Sequence, residues 1–343
     1  MAAQNETWRV LVADAEFAEA AAQLSTKHDR LQIVCPDEGQ SVPDVADGSF
    51  EALVVQSAAV DEALLAKLDS SLQAVLKVGR NYENVDVEAV RRRGLTFACA
   101  PRKGPNCVAE LALTLTLALS KDLLISHDSV AVGAYRLRGL KPQKSAQWKM
   151  AFHWMHNTRV HEVRGKTLGI VGMGEIGCEL ARRATVMNMH NLYYKRNPLS
   201  AELEDLFAAE YRDLPALLSE SDYICLAVPH TAETEGMIGR EELAQMKETA
   251  FLVNICRGGV VDEAALVEAL QEGHIAGAGL DVFTYEPLQA DSPLCDLHNV
   301  ILTPHIGGGT GSNRSLELGE ALDEVEHILS GGAPHVNLTQ PPA

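Results

Sequence analysis

The chain has 343 residues, 46% of them hydrophobic and 22% charged, which is the balance of a folded chain of about two domains and excludes disorder as a description of the whole. Its formal net charge of −18 repels phosphate backbones and anionic lipid, so neither nucleic acid nor a membrane surface is an expected partner. No apolar run reaches the roughly 18 residues that span a bilayer, and the N-terminal MAAQNETWRV carries no secretory pattern, so a cytoplasmic protein is expected.

The first hundred residues alternate short β-rich runs with helical patterns. Strands are predicted at Trp8–Ala13, Leu31–Cys35, Ala52–Val55, Leu72–Val78 and Leu95–Cys99, with helices at Val60–Leu68 and Val85–Arg93. Such alternation implies a parallel sheet covered on both faces. A long helix, apolar enough to be buried on most sides, is predicted from Val108 to Ser129. The polar stretch from Val130 to Val163, with Trp148, His153, Trp154 and His156, reads as an extended or partly helical excursion. Alternation then resumes. Strands are predicted at Thr167–Val171, Leu192–Tyr194, Tyr223–Val228, Phe251–Ile255, Ala278–Val282 and Val300–Leu302, and helices at Gly177–Asn188, Glu241–Lys247, Asp262–Glu272 and Ser315–Leu329. Cys35, Cys99, Cys107, Cys178, Cys225, Cys256 and Cys295 are odd in number and widely spaced. That argues for packed thiols in a reducing compartment, with neither disulfides nor a metal site.

The sharpest local motif is Gly172-Met173-Gly174-Glu175-Ile176-Gly177, which closes a predicted strand and opens an amphipathic helix. A lone G-x-G-x-x-G is weak, but this is the context the motif needs. Gly172 permits the tight turn, Gly174 lets a pyrophosphate approach the backbone, and Gly177 allows close helix–sheet packing. The helix N-terminus offers free N–H groups to the anion. A dinucleotide site usually carries an acid about 20 residues further on, bonded to the ribose 2′-hydroxyl. Here Lys195 and Arg196 stand in that place. A carboxylate would repel a 2′-phosphate, whereas a guanidinium pairs with one bidentately. NADP(H) is therefore the expected cofactor in preference to NAD(H), with two solvated loop cations and acceptance of NAD(H) as the alternative.

Three further strings follow in order: Asn254-Ile-Cys-Arg257-Gly258-Gly-Val-Val-Asp262-Glu263, Gly277-Ala-Gly-Leu-Asp281-Val-Phe-Thr-Tyr-Glu286-Pro287, and Leu302-Thr-Pro304-His305-Ile-Gly307-Gly308. With the glycine loop they closely resemble the D-2-hydroxyacid dehydrogenase family, which includes glyoxylate/hydroxypyruvate reductases and phosphoglycerate dehydrogenases. The resemblance covers nearly the whole chain. It implies an α/β fold of two Rossmann-like or flavodoxin-like domains with parallel sheets, the nucleotide-binding domain inserted into the substrate domain. The expected boundaries are 1–101 with 309–343 for the substrate domain and 102–308 for the NAD(P)-binding domain, with a dimerisation arm at about 130–163. A homodimer, and a cleft between the domains that closes over a small 2-keto or 2-hydroxy acid, are part of the same implication.

The family's catalytic trio maps onto Arg257, Glu286 and His305. The chemistry suits these residue types. Reducing a 2-keto acid needs a cation for the carboxylate and carbonyl, which Arg257 supplies with a fixed fork and permanent charge. It needs a proton donor for the developing alkoxide, which suits His305. Glu286 would hold the imidazole in one tautomer and favour its protonated form. By resemblance, Asp281 would bond the nicotinamide carboxamide, Glu175 and Ile176 would offer backbone amides to the pyrophosphate, and Val228, Pro229, Thr234 and Ile255 would line the cofactor. His230 reads as a surface loop histidine.

Two departures bear on the substrate. The family's Gly-x-Gly turn, whose amides bind the substrate carboxylate, is Gly79-Arg80-Asn81 here. Asn81 tolerates a left-handed conformation better than most residues. Arg80 would suit an acidic substrate tail, with a salt bridge to Glu83 as the alternative. The family's Asn-Thr pair becomes Asn106-Cys107. In the arm, Trp148 or Trp154 would either reach the partner's active site or pack within the dimer contact. The competing functions are a cofactor-sensing corepressor, disfavoured by the acidic charge and by Arg91-Arg92-Arg93 being the only basic run, and a phosphite dehydrogenase on the same architecture.

Overall fold

The structure, a computed structural model, describes residues 7–37, 40, 42, 48–68, 70–144, 154–308 and 314–335. The chain divides into two compact units, Met1–Asn106 with Thr310–Ala343, and Cys107–Gly309.

The first unit is built on strands β1 (Trp8–Val12), β2 (Leu31–Val34), β3 (Ala52–Val55), β4 (Ala74–Val78) and β5 (Thr96–Ala100), in the order β2-β1-β3-β4-β5. Every pairing is parallel. β3 and β4 are buried along their whole length, as expected of strands covered on both faces. The helix Arg314–Leu329 supplies Leu318, Ala321, Leu322 and Val325 to the core formed by Val10, Val54 and Leu76. Strand order reverses between β1 and β3, the position at which open parallel sheets usually admit a ligand. Here the Asp14 carboxylate fills it, accepting from the amides of Gln56, Ser57 and Ala58 at 2.5, 2.7 and 2.9 Å. The helices Glu62–Lys67 and Val87–Arg92 start later than the apolar pattern predicts. Asp61 and Asp86 cap them by accepting from Leu64 and Ala89, and the preceding valines Val60 and Val85 pair with each other as an isolated parallel bridge.

The second unit holds β6 (Thr167–Val171), β7 (His190–Tyr194), β8 (Ala209–Tyr211), β9 (Tyr223–Leu226), β10 (Phe251–Asn254), β11 (Gly277–Leu280) and β12 (Val300–Leu302), all parallel, in the order β12-β11-β10-β9-β6-β7-β8. The expected α/β class with two parallel sheets therefore holds. β8 has no counterpart in the sequence reading. It is a three-residue edge strand, Ala-Glu-Tyr, too short for a period to show.

The long helix predicted from Val108 to Ser129 is corrected. It runs as two helices, Lys103–Ser120 and Leu123–Ala131. Asp122, at φ +46°, breaks the run. Its carboxylate accepts from Asn157 Nδ2 at 2.7 Å and Arg159 Nη2 at 2.9 Å. Only the first helix buries side chains, and the second buries none. Leu123, Val132 and Leu137 are 53%, 68% and 91% exposed. Trp154 stands edge-on to Tyr135 with ring centroids 6.3 Å apart. Trp148 and His153 lie outside the described residues. Among the described residues, no helix is long and apolar enough to cross a membrane, and no group of three or more His, Cys, Asp or Glu side chains gathers as a metal site.

Candidate active site

The glycine loop connects β6 to the helix Glu175–Val186. Gly172 has φ +104°, and a Cβ there would lie 2.6 Å from the Ala227 carbonyl oxygen. A Cβ on Gly177 would lie 2.4 Å from Gly172 O, so the helix meets the turn this closely only because residue 177 is glycine. Gly174 caps the helix without a side chain and has open space where its Cβ would be. Glu175 and Ile176 follow as the first helical residues. This leaves an uncapped helix N-terminus with a bare approach to its amides, a cradle that fits the pyrophosphate of a dinucleotide.

Two loops flank the cradle. Lys195 and Arg196 follow β7, Lys195 half-buried and Arg196 exposed. Arg196 Nη1 donates to Glu233 Oε2 at 2.7 Å. Val228 and Pro229 follow β9, and Thr234 closes that loop by donating to Pro229 O at 2.6 Å and accepting from Thr231 N at 2.8 Å. His230 is more engaged than a plain surface histidine. Its Nε2 bonds Glu235 Oε2, and its ring lies over Gly259, where a Cβ would be 2.7 Å from Nε2.

Arg257 follows β10 and the buried Ile255. Asn254, the last residue of β10 and 1% exposed, shapes the loop: its Nδ2 donates to Arg257 O at 3.0 Å and its Oδ1 accepts from Cys256 N at 3.1 Å. The Arg257 side chain is exposed, with Nη1 donating to Cys256 O at 2.6 Å. A Cβ on Gly258 would fall 1.9 Å from the Phe283 carbonyl carbon. The loop after β10 is therefore pressed against the backbone that leads into Glu286.

His305 Nδ1 bonds Glu286 Oε2 at 2.7 Å, and Glu286 Oε1 accepts from Phe283 N at 3.1 Å. Burial pushes the Glu286 carboxyl up, but the His305 and Phe283 hydrogen bonds and the charges of His305 and Arg257 outweigh it and hold the group below its usual value. His305 sits at φ +54° in the left-handed region. Asp281, 1% exposed, anchors the strand end around it. Its Oδ1 accepts from Thr303 Oγ1 at 2.7 Å and Ile306 N at 2.9 Å, and its Oδ2 accepts from Gly307 N at 2.9 Å. Beside the pair lies a cavity of about 570 Å³ walled by Phe283, Pro287, Leu288, Leu302 and Pro304.

The structure thus brings Arg257, Glu286, His305 and Asp281 together through contiguous loops of the second unit. Gly79, Arg80 and Asn81 belong to the first. Gly79 has φ +111° and donates to Ala100 O at 2.7 Å. Asn81 is not among the left-handed residues. It instead donates from Nδ2 to Glu83 Oε2 at 2.8 Å and accepts from Glu83 N at 3.1 Å. Asn106 Nδ2 donates back to Arg102 O at 2.7 Å. Sequence reasoning missed Asn254, Gly258 and Thr303 as shapers of the site. The available sign was a polar or glycine residue at the carboxyl end of an apolar strand, inside motifs already singled out.

Residues 134–307 match the family model described as "D-isomer specific 2-hydroxyacid dehydrogenase, NAD binding domain". The chain is 39% identical over 307 residues to a glyoxylate/hydroxypyruvate reductase B from Enterobacter sp. (strain 638), covering 87% of this chain and 90% of that protein. It is 45% identical over 239 residues to a glyoxylate reductase from Thermococcus gammatolerans, covering 70% and 68% of the two chains. A crystal structure of a glyoxylate reductase from Paecilomyes thermophila superposes with a TM-score of 0.54 at 28% identity, covering 97% of this chain and 98% of that one. The chain belongs to the D-isomer specific 2-hydroxyacid dehydrogenase family and is an oxidoreductase that acts on a CH–OH group with a nicotinamide cofactor.

Proposed function

We propose that this protein is an NADP(H)-preferring reductase of small 2-keto acids, with Arg257, His305 and Glu286 as its catalytic residues. The observation that carries the reading is the 2.7 Å bond between His305 Nδ1 and Glu286 Oε2, beside the loop that presents the Arg257 guanidinium. Glu286 accepts from Nδ1 and so fixes the tautomer, leaving Nε2 free to carry the proton that the alkoxide takes. Arg257 pairs with the substrate carboxylate and polarises the carbonyl, since an exposed guanidinium keeps its charge throughout. The bound nicotinamide supplies the hydride. In the oxidative direction, neutral Nε2 takes the hydroxyl proton.

Gly172, Gly174 and Gly177, with the amides of Glu175 and Ile176, are assigned to the pyrophosphate. Val228, Pro229, Thr234 and Ile255 are assigned to the walls of the same site. Asp281 keeps lone pairs with which to accept from the carboxamide. Lys195 and Arg196 are assigned to the 2′-phosphate. We also assign substrate binding to the first unit, through the Gly79-Arg80-Asn81 turn, and dimerisation to the exposed apolar surface that follows Ser120.

The decisive experiment follows NADPH and NADH oxidation with glyoxylate, hydroxypyruvate, phenylpyruvate and acidic 2-keto acids, with Arg257→Ala and Arg80→Ala variants alongside. The expected result is turnover that favours NADPH and is lost in Arg257→Ala. Arg80→Ala should raise KM for acidic substrates most. Tight cofactor binding without turnover on any member of the panel would favour the cofactor-sensing alternative.

A further inference from the structure

We propose that Glu233 is a cofactor-specificity residue. Its carboxylate holds the Arg196 guanidinium and competes for it with the 2′-phosphate of NADP(H). The inference rests on the reading that Arg196 receives that phosphate. The place just after β7 where a dinucleotide site usually keeps its acid holds Lys195-Arg196 instead. A carboxylate nevertheless arrives there from a different loop. Glu233 Oε2 accepts from Arg196 Nη1 at 2.7 Å, across 37 positions of sequence.

The loop that delivers Glu233 is pinned locally. Glu233 N donates to Thr231 Oγ1 at 3.3 Å, and Thr234 Oγ1 donates to Pro229 O at 2.6 Å. These bonds fix the backbone that carries Glu233 beside Arg196. Both side chains are largely solvent-exposed, Arg196 at 79% and Glu233 at 68%. Exposed ion pairs of this kind are weak and exchange readily, while a guanidinium and a phosphate form a stronger, bidentate pair. A 2′-phosphate thus displaces Glu233 from Arg196 but meets its negative charge nearby. A ribose 2′-hydroxyl leaves the pair intact and meets no such competition. Glu233 thus moderates the preference that Lys195 and Arg196 create.

The test is equilibrium binding of NADPH and NADH, read by nucleotide fluorescence without substrate, for the wild type, Glu233→Gln, Arg196→Gln and the double variant. Glu233→Gln should tighten NADPH about two- to fivefold, the size of an exposed ion pair, and move NADH less than twofold. The gain should shrink at high salt and vanish in the double variant. If Arg196→Gln weakens NADPH while Glu233→Gln leaves the NADPH/NADH ratio unchanged, the proposal is overturned and the Arg196 reading stands. If Arg196→Gln leaves NADPH affinity unchanged, the reading of Arg196 fails first and the proposal falls with it.

Discussion

The amide of His305 donates to the main-chain carbonyl of Asp281 at 2.9 Å, and the Asp281 carboxylate reaches past the histidine to accept from the amides of Ile306 and Gly307, both at 2.9 Å. His305 is thereby clamped from both sides in a left-handed conformation, φ +54°, that costs a residue with a Cβ roughly 1–2 kcal/mol. Charge-assisted hydrogen bonds of about 1.5–3 kcal/mol each outweigh that cost. We predict that Asp281→Asn, which places an NH₂ against one of these donors, lowers kcat roughly tenfold or more. It should also lower the melting temperature of the cofactor-free protein. A residue whose sole work was to touch the nicotinamide would leave that melting temperature unchanged, so thermal denaturation without cofactor separates the two roles.

Glu286 gives a pH prediction whose sign can be worked out. The His305 and Phe283 bonds, working against burial, hold its folded-state value below the usual 4.5. The unfolded chain therefore binds this proton first as pH falls. The stability contributed by the pair is fully present above the usual value and is lost as pH drops through the lower folded one. Denaturant titrations of wild type and Glu286→Gln should differ most above pH 4.5 and converge in acid. At neutral pH the same variant should lose about a hundredfold in kcat/KM, within the range for disturbed acid–base catalysis, with the glutamine keeping the volume of the side chain.

How much could be read from the chain depended on whether the cause was local. Continuous apolar runs place the strands within one or two residues, because parallel strands buried on both faces leave that mark. The break at Asp122 left none, since its partners Asn157 and Arg159 lie 35 and 37 positions away. β8 is defined only by pairing Ala209 with Asn191 and its neighbours. At the site, the glycine turn is legible from its own context between strand and helix, and the trio is legible through the family resemblance of the motifs that carry it. Gly258 does not, because the reason for a glycine there is the Phe283 backbone. Glu233 is one acid among 47 Asp and Glu residues until the fold sets it against Arg196.

Cys256, beside Arg257 in sequence, invites a reactive-thiol reading that the structure opposes. Burial pushes its thiol up from 9.0 to about 11, against smaller opposing effects from backbone hydrogen bonds and Arg257. Cys225, also buried, is pushed up further. Reactivity follows the thiolate, so at pH 8 a thiol reagent should modify exposed Cys295 rapidly and leave Cys256 intact in the native protein, as peptide mapping would show. The linkage runs opposite to that of Glu286. With the folded value raised above the unfolded 9.0, stability is fully retained below pH 9 and declines as pH rises toward about 11. Cys256→Ala should flatten part of that alkaline slope.

The surface after Ser120 yields a prediction about assembly. On the helix Leu123–Ala131, Leu123 and Val130 are 53% and 58% exposed and stand seven positions apart, two turns along the same face. Leu124, Val132 and Leu137, close by in sequence, are 47%, 68% and 91% exposed. Exposed apolar residues concentrated in one stretch of chain suit an interaction surface, and a second copy of the chain is the occupant assigned to it here. Leu123→Asp with Val130→Asp would place carboxylates in that contact, each costing several kcal/mol if buried without a partner. Light scattering should then give one chain mass instead of two, while the circular dichroism spectrum, set by the two parallel sheets and their helices, stays unchanged. A wild type that already scatters as a single chain at micromolar concentration would refute the assignment of this face.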